Sequence, residues 1–154
     1  MKKIFYIGMV VILCSCVGSK KRYSVDSKIQ TTISTARSYT GTPYRYGGTS
    51  KRGMDCSGLL CVSYKSAGLT LPRTSAEQSK FGKPVKINEL KPGDLVFFSK
   101  KKGRRKITHV GMVTTVRKGK DVQFIHSSSK LGVVENNLLS DYYRGIFVKA
   151  RRPF

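Results

Sequence analysis

The stretch Asp55-Cys56-Ser57-Gly58-Leu59-Leu60-Cys61-Val62, running on to Ala67-Gly68, reads as a buried helix with both ends marked. Aspartate is a preferred N-cap because its carboxylate accepts an orphan backbone N–H, and glycine is the usual residue just beyond a helix C-terminus. Leu59, Leu60, Val62 and Ala67 form a nearly continuous apolar run, as a helix covered on most sides requires. Working backwards, Ile29, Ile33, Ala36 and Tyr39 recur at helical spacing, with Asp26 or Ser27 as cap and Gly41 as stop. Between the two helices, Thr42-Pro43-Tyr44-Arg45-Tyr46-Gly47-Gly48 is loop chemistry. Working forwards, Leu71-Pro72-Arg73-Thr74-Ser75 leads into a short helix over 76–80, after which the period changes. Lys91-Pro92-Gly93 is a turn and 94–99 a buried strand. Val110, Met112 and Val116, then Val122, Phe124 and His126, alternate as strands do, and Val133-Val134 and Ile146-Phe147-Val148 supply two more. Helices first and an antiparallel sheet afterwards predict an α+β fold and exclude a nucleotide-binding βαβ protein.

The helix start also carries chemistry. Thiolate, not thiol, attacks a carbonyl carbon, and the free N–H groups and dipole of a helix N-terminus favour negative charge. Cys56 sits one residue inside that start, and Gly58 leaves room for a substrate backbone to approach. Cys61, among Leu59, Leu60 and Val62, reads as core. A bridge between the two is disfavoured: five helical residues rise about 7.5 Å, whereas bridged Cα atoms lie within about 7 Å. Only two histidines exist, His109 and His126, each in a strand and separated by the polar segment 117–120. A hairpin centred between 117 and 118 sets them directly opposite, although a bulge would shift the register. One imidazole then takes the thiol proton while the other orients it. A zinc site built from Cys56, His109 and His126 is the rival reading. No CxxC, HxxxH or HExxH spacing supports it, so no metal or other cofactor is expected.

The chain opens with an address. Met1-Lys2-Lys3 is cationic and 4–13 is an apolar run of ten residues, too short to span a bilayer and suited to a secretory signal. Leu13-Cys14-Ser15-Cys16 resembles a bacterial lipobox, which implies cleavage behind Ser15 and diacylation of Cys16; the plainer alternative is an ordinary signal with Cys16 incidental. The expected organisation is a signal peptide over 1–15, a lipidated tether over 16–27 and one domain over 28–154. The formal charge of +22 falls to +20 when the two lysines of the signal are removed. After export such a charge predicts anionic envelope surfaces as partners rather than nucleic acid. Val17 lacks the aspartate that retains some lipoproteins in the inner membrane, so an outer-membrane location facing the periplasm is expected by analogy.

Six runs in order resemble the NlpC-type cell-wall cysteine peptidases: 41–48, Asp55-Cys56-Ser57-Gly58-Leu59, 71–78, Lys91-Pro92-Gly93-Asp94-Leu95-Val96-Phe97-Phe98, His109-Val110-Gly111 and Phe124-Ile125-His126-Ser127-Ser128. The resemblance spans roughly 41–148 and implies a papain-like fold, N-terminal helices packed on a C-terminal antiparallel sheet. It implies Cys56 as nucleophile, His109 as general base and His126 as the polar third member. Tyr44 matches a loop tyrosine that, with the Cys56 N–H, stabilises the oxyanion. Asp55, Ser57 and Ser75 match positions that recognise the substrate's amino end. Arg73 is either a bidentate partner for a carboxylate or a loop anchor. The implied bond is the amide between the γ-carboxyl of D-Glu and a diamino acid in peptidoglycan stem peptides, and the implied protein is a lipid-anchored endopeptidase, expected to be monomeric. Tyr46 departs from the tryptophan of many relatives, and no wall-binding domain precedes the catalytic one, which puts stem-length specificity in doubt.

Two other readings fit the residues. The same thiol–imidazole chemistry serves an amidase or acyltransferase, and the charge alone would suit a structural lipoprotein that binds wall polymers without turnover. Six basic residues between 100 and 106 read either as a solvated hairpin tip or as a contact with anionic wall or lipid.

Overall fold

A computed structural model of the protein describes residues 24–117 and 120–154. The expected signal peptide, the lipidation site Cys16 and most of the tether lie outside the described residues. In chain order the elements are helix α1 (Val25–Arg37), the two-residue strands β1 (Thr49–Ser50) and β2 (Gly53–Met54), helix α2 (Cys56–Ser66), the short helix α3 (Ser75–Gln78) and strand β3 (Lys83–Val85). A 3-10 turn over Ile87–Glu89 precedes β4 (Leu95–Phe98), β5 (His109–Arg117), β6 (Asp121–Ser128), β7 (Gly132–Asn137), helix α4 (Asp141–Ile146) and β8 (Phe147–Arg152). This is the expected α+β arrangement.

Helix α2 is built as its sequence dictates. The Asp55 carboxylate accepts the Gly58 N–H at 2.6 Å, and Gly68 lies just past the end at φ 80°, a conformation that costs glycine nothing. Leu59, Leu60 and Tyr64 are wholly buried, which contributes roughly 1.5–3 kcal/mol each relative to exposure. Helix α1 begins earlier than expected. Its cap is Ser24, whose hydroxyl accepts from the Ser27 N–H at 3.2 Å, so 25–27 at the end of the expected tether are helical.

The main sheet has six antiparallel strands in the order β3-β8-β4-β5-β6-β7. Leu95-Val96-Phe97-Phe98 is apolar throughout because both faces of this central strand are covered. Leu95 and Phe97 join Ile33, Leu59, Leu60, Val110 and Met112 under the helices, while Val96 and Phe98 join Phe124, Leu138 and Ala150 on the other side. The Tyr64 hydroxyl donates to the Gly93 carbonyl, tying α2 to the turn that opens β4. Four features exceed the sequence reading: the small β1–β2 hairpin inside the loop before Cys56, strand β3, the 3-10 turn over Ile87–Glu89, and helix α4.

Candidate active site

Helix α2 presents Cys56 in its first turn, 8% exposed, at the junction of two clefts. One, of about 320 Å³, runs from Tyr44 and Cys56 past His109 and His126 to Ser99, Lys100 and α4. The other, of about 340 Å³, runs from Cys56 and Tyr44 past Tyr46 and Gly47 to Asp55, Ser57, Arg73 and Ser75. All the described residues expected to form the site therefore gather around one thiol.

The histidines reach it through an irregularity in the sheet. Near the turn β5 and β6 pair as Arg117↔Asp121, Val116↔Val122 and Thr115↔Gln123, but beyond it as Val113↔Phe124 and Met112↔Ile125. Thr114 is the extra residue of a bulge. Had the first register continued, His126 would lie opposite Met112, on the face His109 does not share. With the bulge it lies beside Gly111, on the same face as His109. The two are thus offset by two residues rather than directly opposite, because the hairpin closes with Arg117 opposite Asp121 and the bulge then shifts the register by one. The offset preserves the face, and the rings meet edge to face at 4.9 Å.

A hydrogen-bonded chain fixes their protons. His126 Nε2 lies 2.9 Å from Asn136 Oδ1, an atom that also accepts from the Tyr143 hydroxyl at 2.9 Å. Oδ1 only accepts, so Nε2 carries the hydrogen and Nδ1 of His126 is left as an acceptor. His109 Nε2, 2.8 Å away, must then donate to it, leaving His109 Nδ1 as a lone pair. That is the state a general base needs. Phe124 stacks on His126 with ring centroids 4.9 Å apart, and a Cβ at Gly111 would come within 2.5 Å of the Phe124 ring. Gly111 therefore keeps the space in which the stack forms.

Electrostatics differ from the expectation of a depressed thiol. Burial pushes Cys56 up, the neighbouring Asp55 charge adds to this, and the backbone N–H groups of Val110, Ser57 and Cys56 only partly oppose it. Burial, with some help from His126, pushes His109 down to about 3. Burial also lowers His126, against the hydrogen bond to Asn136. The resting pair is therefore neutral thiol and neutral imidazole.

Asp55 anchors the other side. Its Oδ1 receives the Gly58 N–H at 2.6 Å, Arg73 Nη1 at 3.0 Å and the Ser57 hydroxyl at 3.1 Å; its Oδ2 receives Arg73 Nη2 at 2.6 Å and the Gly47 N–H at 2.8 Å. Five donors occupy the roughly four lone-pair sites of a carboxylate, so little acceptor capacity remains for a substrate amine. Burial pushes its carboxyl up, but Arg73, the Gly58 N–H and Ser57 together hold it below the usual range. The Arg73 fork is spent on Asp55, with Nη1 also donating to Ser57 at 2.9 Å, which makes it a loop anchor instead of a ready clamp for a substrate carboxylate. The space left at Gly58 is likewise occupied by the chain itself: a Cβ there would lie 2.3 Å from the Gly48 carbonyl oxygen. Ser75 lines this cleft, and Tyr46 stands at its rim, 89% exposed.

Arg73→Ala is expected to leave Asp55 buried with its two backbone donors and Ser57. A full buried-pair loss would be larger, but Arg73 is 43% exposed, so about 2 kcal/mol is expected, or roughly 5–10 °C in the thermal midpoint. Differential scanning calorimetry of the two proteins measures it.

Cys61 is half-buried and not without polar company. Its thiol donates to the Pro72 carbonyl at 3.3 Å, and Gln78 Nε2 approaches the sulfur at 3.5 Å. Among the described residues, Cys56 and Cys61 are both unbridged. Among the described residues, no three side chains of histidine, cysteine, aspartate or glutamate cluster as a metal site would need. Asn136 and Tyr143 were not singled out from sequence. Asn136 lies opposite Phe124 in the β6–β7 ladder, a polar residue in a strand whose meaning appears only with the register.

The comparisons with known proteins agree with this geometry. Residues 41–152 match the NlpC/P60 family. The chain is 42% identical over 117 residues to "Probable endopeptidase NlpC" of Escherichia coli, covering 75% of this chain and 72% of that protein. It is 41% identical over 80 residues to the gamma-D-glutamyl-L-lysine dipeptidyl-peptidase of Bacillus subtilis, covering 52% of this chain and 27% of that one. A crystal structure of an NlpC/P60 family protein from Bacillus cereus superposes with a TM-score of 0.71 at 36% identity, over 80% of this chain and 39% of that one. The chain thus spans much less than the full length of two of these three. With the fold, the ordered motifs and the match over most of its length in agreement, the protein belongs to the NlpC/P60 family.

Proposed function

We propose that the protein is a murein endopeptidase that hydrolyses the amide between the γ-carboxyl of D-glutamate and a diamino acid in the peptidoglycan stem peptide. Cys56 is the nucleophile, His109 the general base and acid, and His126 the residue that orients it. One observation carries this reading: a helix-start thiol shares a cleft with an imidazole whose far nitrogen is tied through His126 to Asn136. The names of the relatives from E. coli and B. subtilis support the substrate class.

In the first step His109 Nδ1 takes the Cys56 proton as the sulfur attacks the carbonyl carbon. The tetrahedral oxyanion is held by the Cys56 N–H, which has no intrahelical acceptor at this helix position, and by the Tyr44 hydroxyl. Collapse breaks the C–N bond while the His109 imidazolium gives its proton to the leaving nitrogen, producing a thioester and a free amine. Water, deprotonated by His109, then releases the acid and restores the thiol.

The positions of the groups support one assignment of the clefts. The amine must leave past the acid that protonates it, so it occupies the cleft lined by His109 and His126. The acyl half, with the γ-glutamyl unit, occupies the cleft of Ser57, Ser75 and Tyr46. Tyr44 borders both and is 37% exposed, with room to swing onto the oxyanion. Tyr44→Phe is expected to lower kcat by about 10²-fold with little change in KM, since the bond it makes exists mainly in the transition state. Steady-state kinetics on a soluble stem peptide measure both.

Export and anchoring belong to the same reading and rest on the sequence of 1–16, outside the described residues. Cys16 is proposed as the diacylated N-terminus that holds the enzyme at the outer membrane facing the periplasm, beside the anionic wall its charge of +20 favours. Digestion of purified sacculi, with the new termini identified by mass spectrometry, tests the activity. Free γ-carboxyl of D-glutamate and a free diamino-acid amine are expected. Intact stem peptides detached from sugar would assign an amidase, and no release at all would overturn the reading.

A further inference from the structure

The cleft that receives the leaving amine has a chemical bias of its own. Its lining carries several hydroxyls, including Thr108, Ser128, Ser129 and Tyr142, and a single permanent cation, Lys100. No aspartate or glutamate lines it; Asp141, next to Tyr142 in the chain, stands outside. A cationic group brought there meets no carboxylate and one ammonium. A carboxylate meets that ammonium and a row of hydroxyl donors.

Lys100 is held at this wall. The Ser99 N–H donates to the Ile146 carbonyl at 3.0 Å, and the Ser99 hydroxyl donates to the Lys101 carbonyl, fixing the base of the loop against α4. Ser99 is 2% exposed, so the anchor is part of the packed structure. The rest of the loop folds back along the molecule. A Cβ at Gly145 would lie 3.8 Å from Cδ of Lys102, and Arg104 and Arg105 lie beside Phe147 and Lys149 of β8. Lys149 is pushed below its ordinary range chiefly by burial, and the neighbouring charges of Arg151 and Lys80 add to the lowering. The field at the mouth of the cleft is therefore positive well beyond Lys100 itself.

We infer that Lys100 is a specificity-determining residue that reads a carboxylate carried by the amine half of the substrate, selecting diamino acids that keep a free carboxylate over amidated or purely cationic ones. The inference rests on the cleft assignment proposed above and deepens it. Two carboxylates supply the same chemistry: the one on the side chain of a dicarboxylic diamino acid, and the C-terminal one of a trimmed stem.

Four soluble tripeptides of the form L-Ala-γ-D-Glu-X separate these. In the first, X is meso-diaminopimelate with both carboxylates free. In the second its side-chain carboxylate is a carboxamide, and in the third its C-terminal one is. In the fourth X is L-lysinamide, which offers neither carboxylate. Wild type is expected to favour the first over the lysinamide peptide by roughly fivefold in kcat/KM, a preference that shrinks with added salt. Whichever carboxamide abolishes the preference identifies the carboxylate that is read. Lys100→Gln should flatten the series, with its largest loss on the first peptide, while Lys100→Arg should retain the order. Equal cleavage of all four by wild type, or an undiminished preference in Lys100→Gln, overturns the inference and leaves the endopeptidase reading standing. No cleavage of any peptide by an enzyme that opens sacculi overturns the inference as well, whereas no cleavage of either kind of substrate removes the endopeptidase reading together with it.

Discussion

Cys56→Ala is expected to abolish stem-peptide hydrolysis, lowering kcat/KM by about 10⁴-fold or more, while the protein keeps its fold. The side chain removed is small, and its surroundings on α2 are set by neighbours that do not change: Asp55 still caps the helix, and Leu59 and Leu60 still fill the core. Nothing else in the cleft can replace the sulfur. Cys61 donates to the Pro72 carbonyl, and among the described residues no cleft hydroxyl is hydrogen-bonded to His109. His109→Ala should cost a similar factor, because the neutral thiol that burial enforces at rest needs a base at the moment of attack. The two losses should not add, since thiol and imidazole act as one unit. Kinetics on a soluble stem peptide, paired with circular-dichroism melting curves, measure the effect. Turnover within tenfold of wild type in Cys56→Ala would remove Cys56 from the role of nucleophile, whereas no turnover by either protein would return it to the class of wall-binding lipoproteins.

How much of this was legible in the sequence depended on whether the determinant was local. The α2 cap, the buried run behind it and the closing Gly68 are all local, and each is found where its chemistry put it. The pairing of His109 with His126 was also legible, but for an incomplete reason. Period-two alternation says which residues share a face only while the ladder is regular, and the bulge at Thr114 changes the count by one. The longer turn and the bulge together move the register by two, which keeps both imidazoles on one face. Asn136 and Tyr143 were beyond reach, since their role depends on a strand neighbour and on a six-residue helix with weak local signals. Arg73 shows the opposite problem. Its sequence context was compatible with a substrate carboxylate or with loop anchoring, and only the five-donor shell around Asp55 distinguishes them.

Acidification between pH 6.5 and about 4.5 is expected to strip stability from the folded protein, chiefly through its two histidines. In the unfolded chain both imidazoles take up protons as the pH falls through about 6.5. In the folded protein His109 stays neutral down to about 3, and His126 is lowered in the same direction. The unfolded state therefore binds more protons across this window, and stability falls as the pH falls. The loss at His109 alone is roughly 2–3 kcal/mol by pH 4.5, and His126 adds to it in the same direction, before Asp55, held below the usual carboxylate range, begins to contribute. Urea unfolding at a series of pH values measures it, and the midpoint should decline steadily below pH 6.5. His126→Phe should reduce the slope, because a phenyl ring keeps the stack on Phe124 and removes the titration, while Tyr143 and Asn136 remain bonded to each other. A flat wild-type profile would carry a different meaning. It would require His109 to hold its proton in the folded state, which burial forbids unless an anion lies against it. The only anion the cleft can offer there is the Cys56 thiolate. A flat profile would thus replace the neutral resting pair with a preformed thiolate–imidazolium pair, and the proton transfer assigned here to the moment of attack would already have happened.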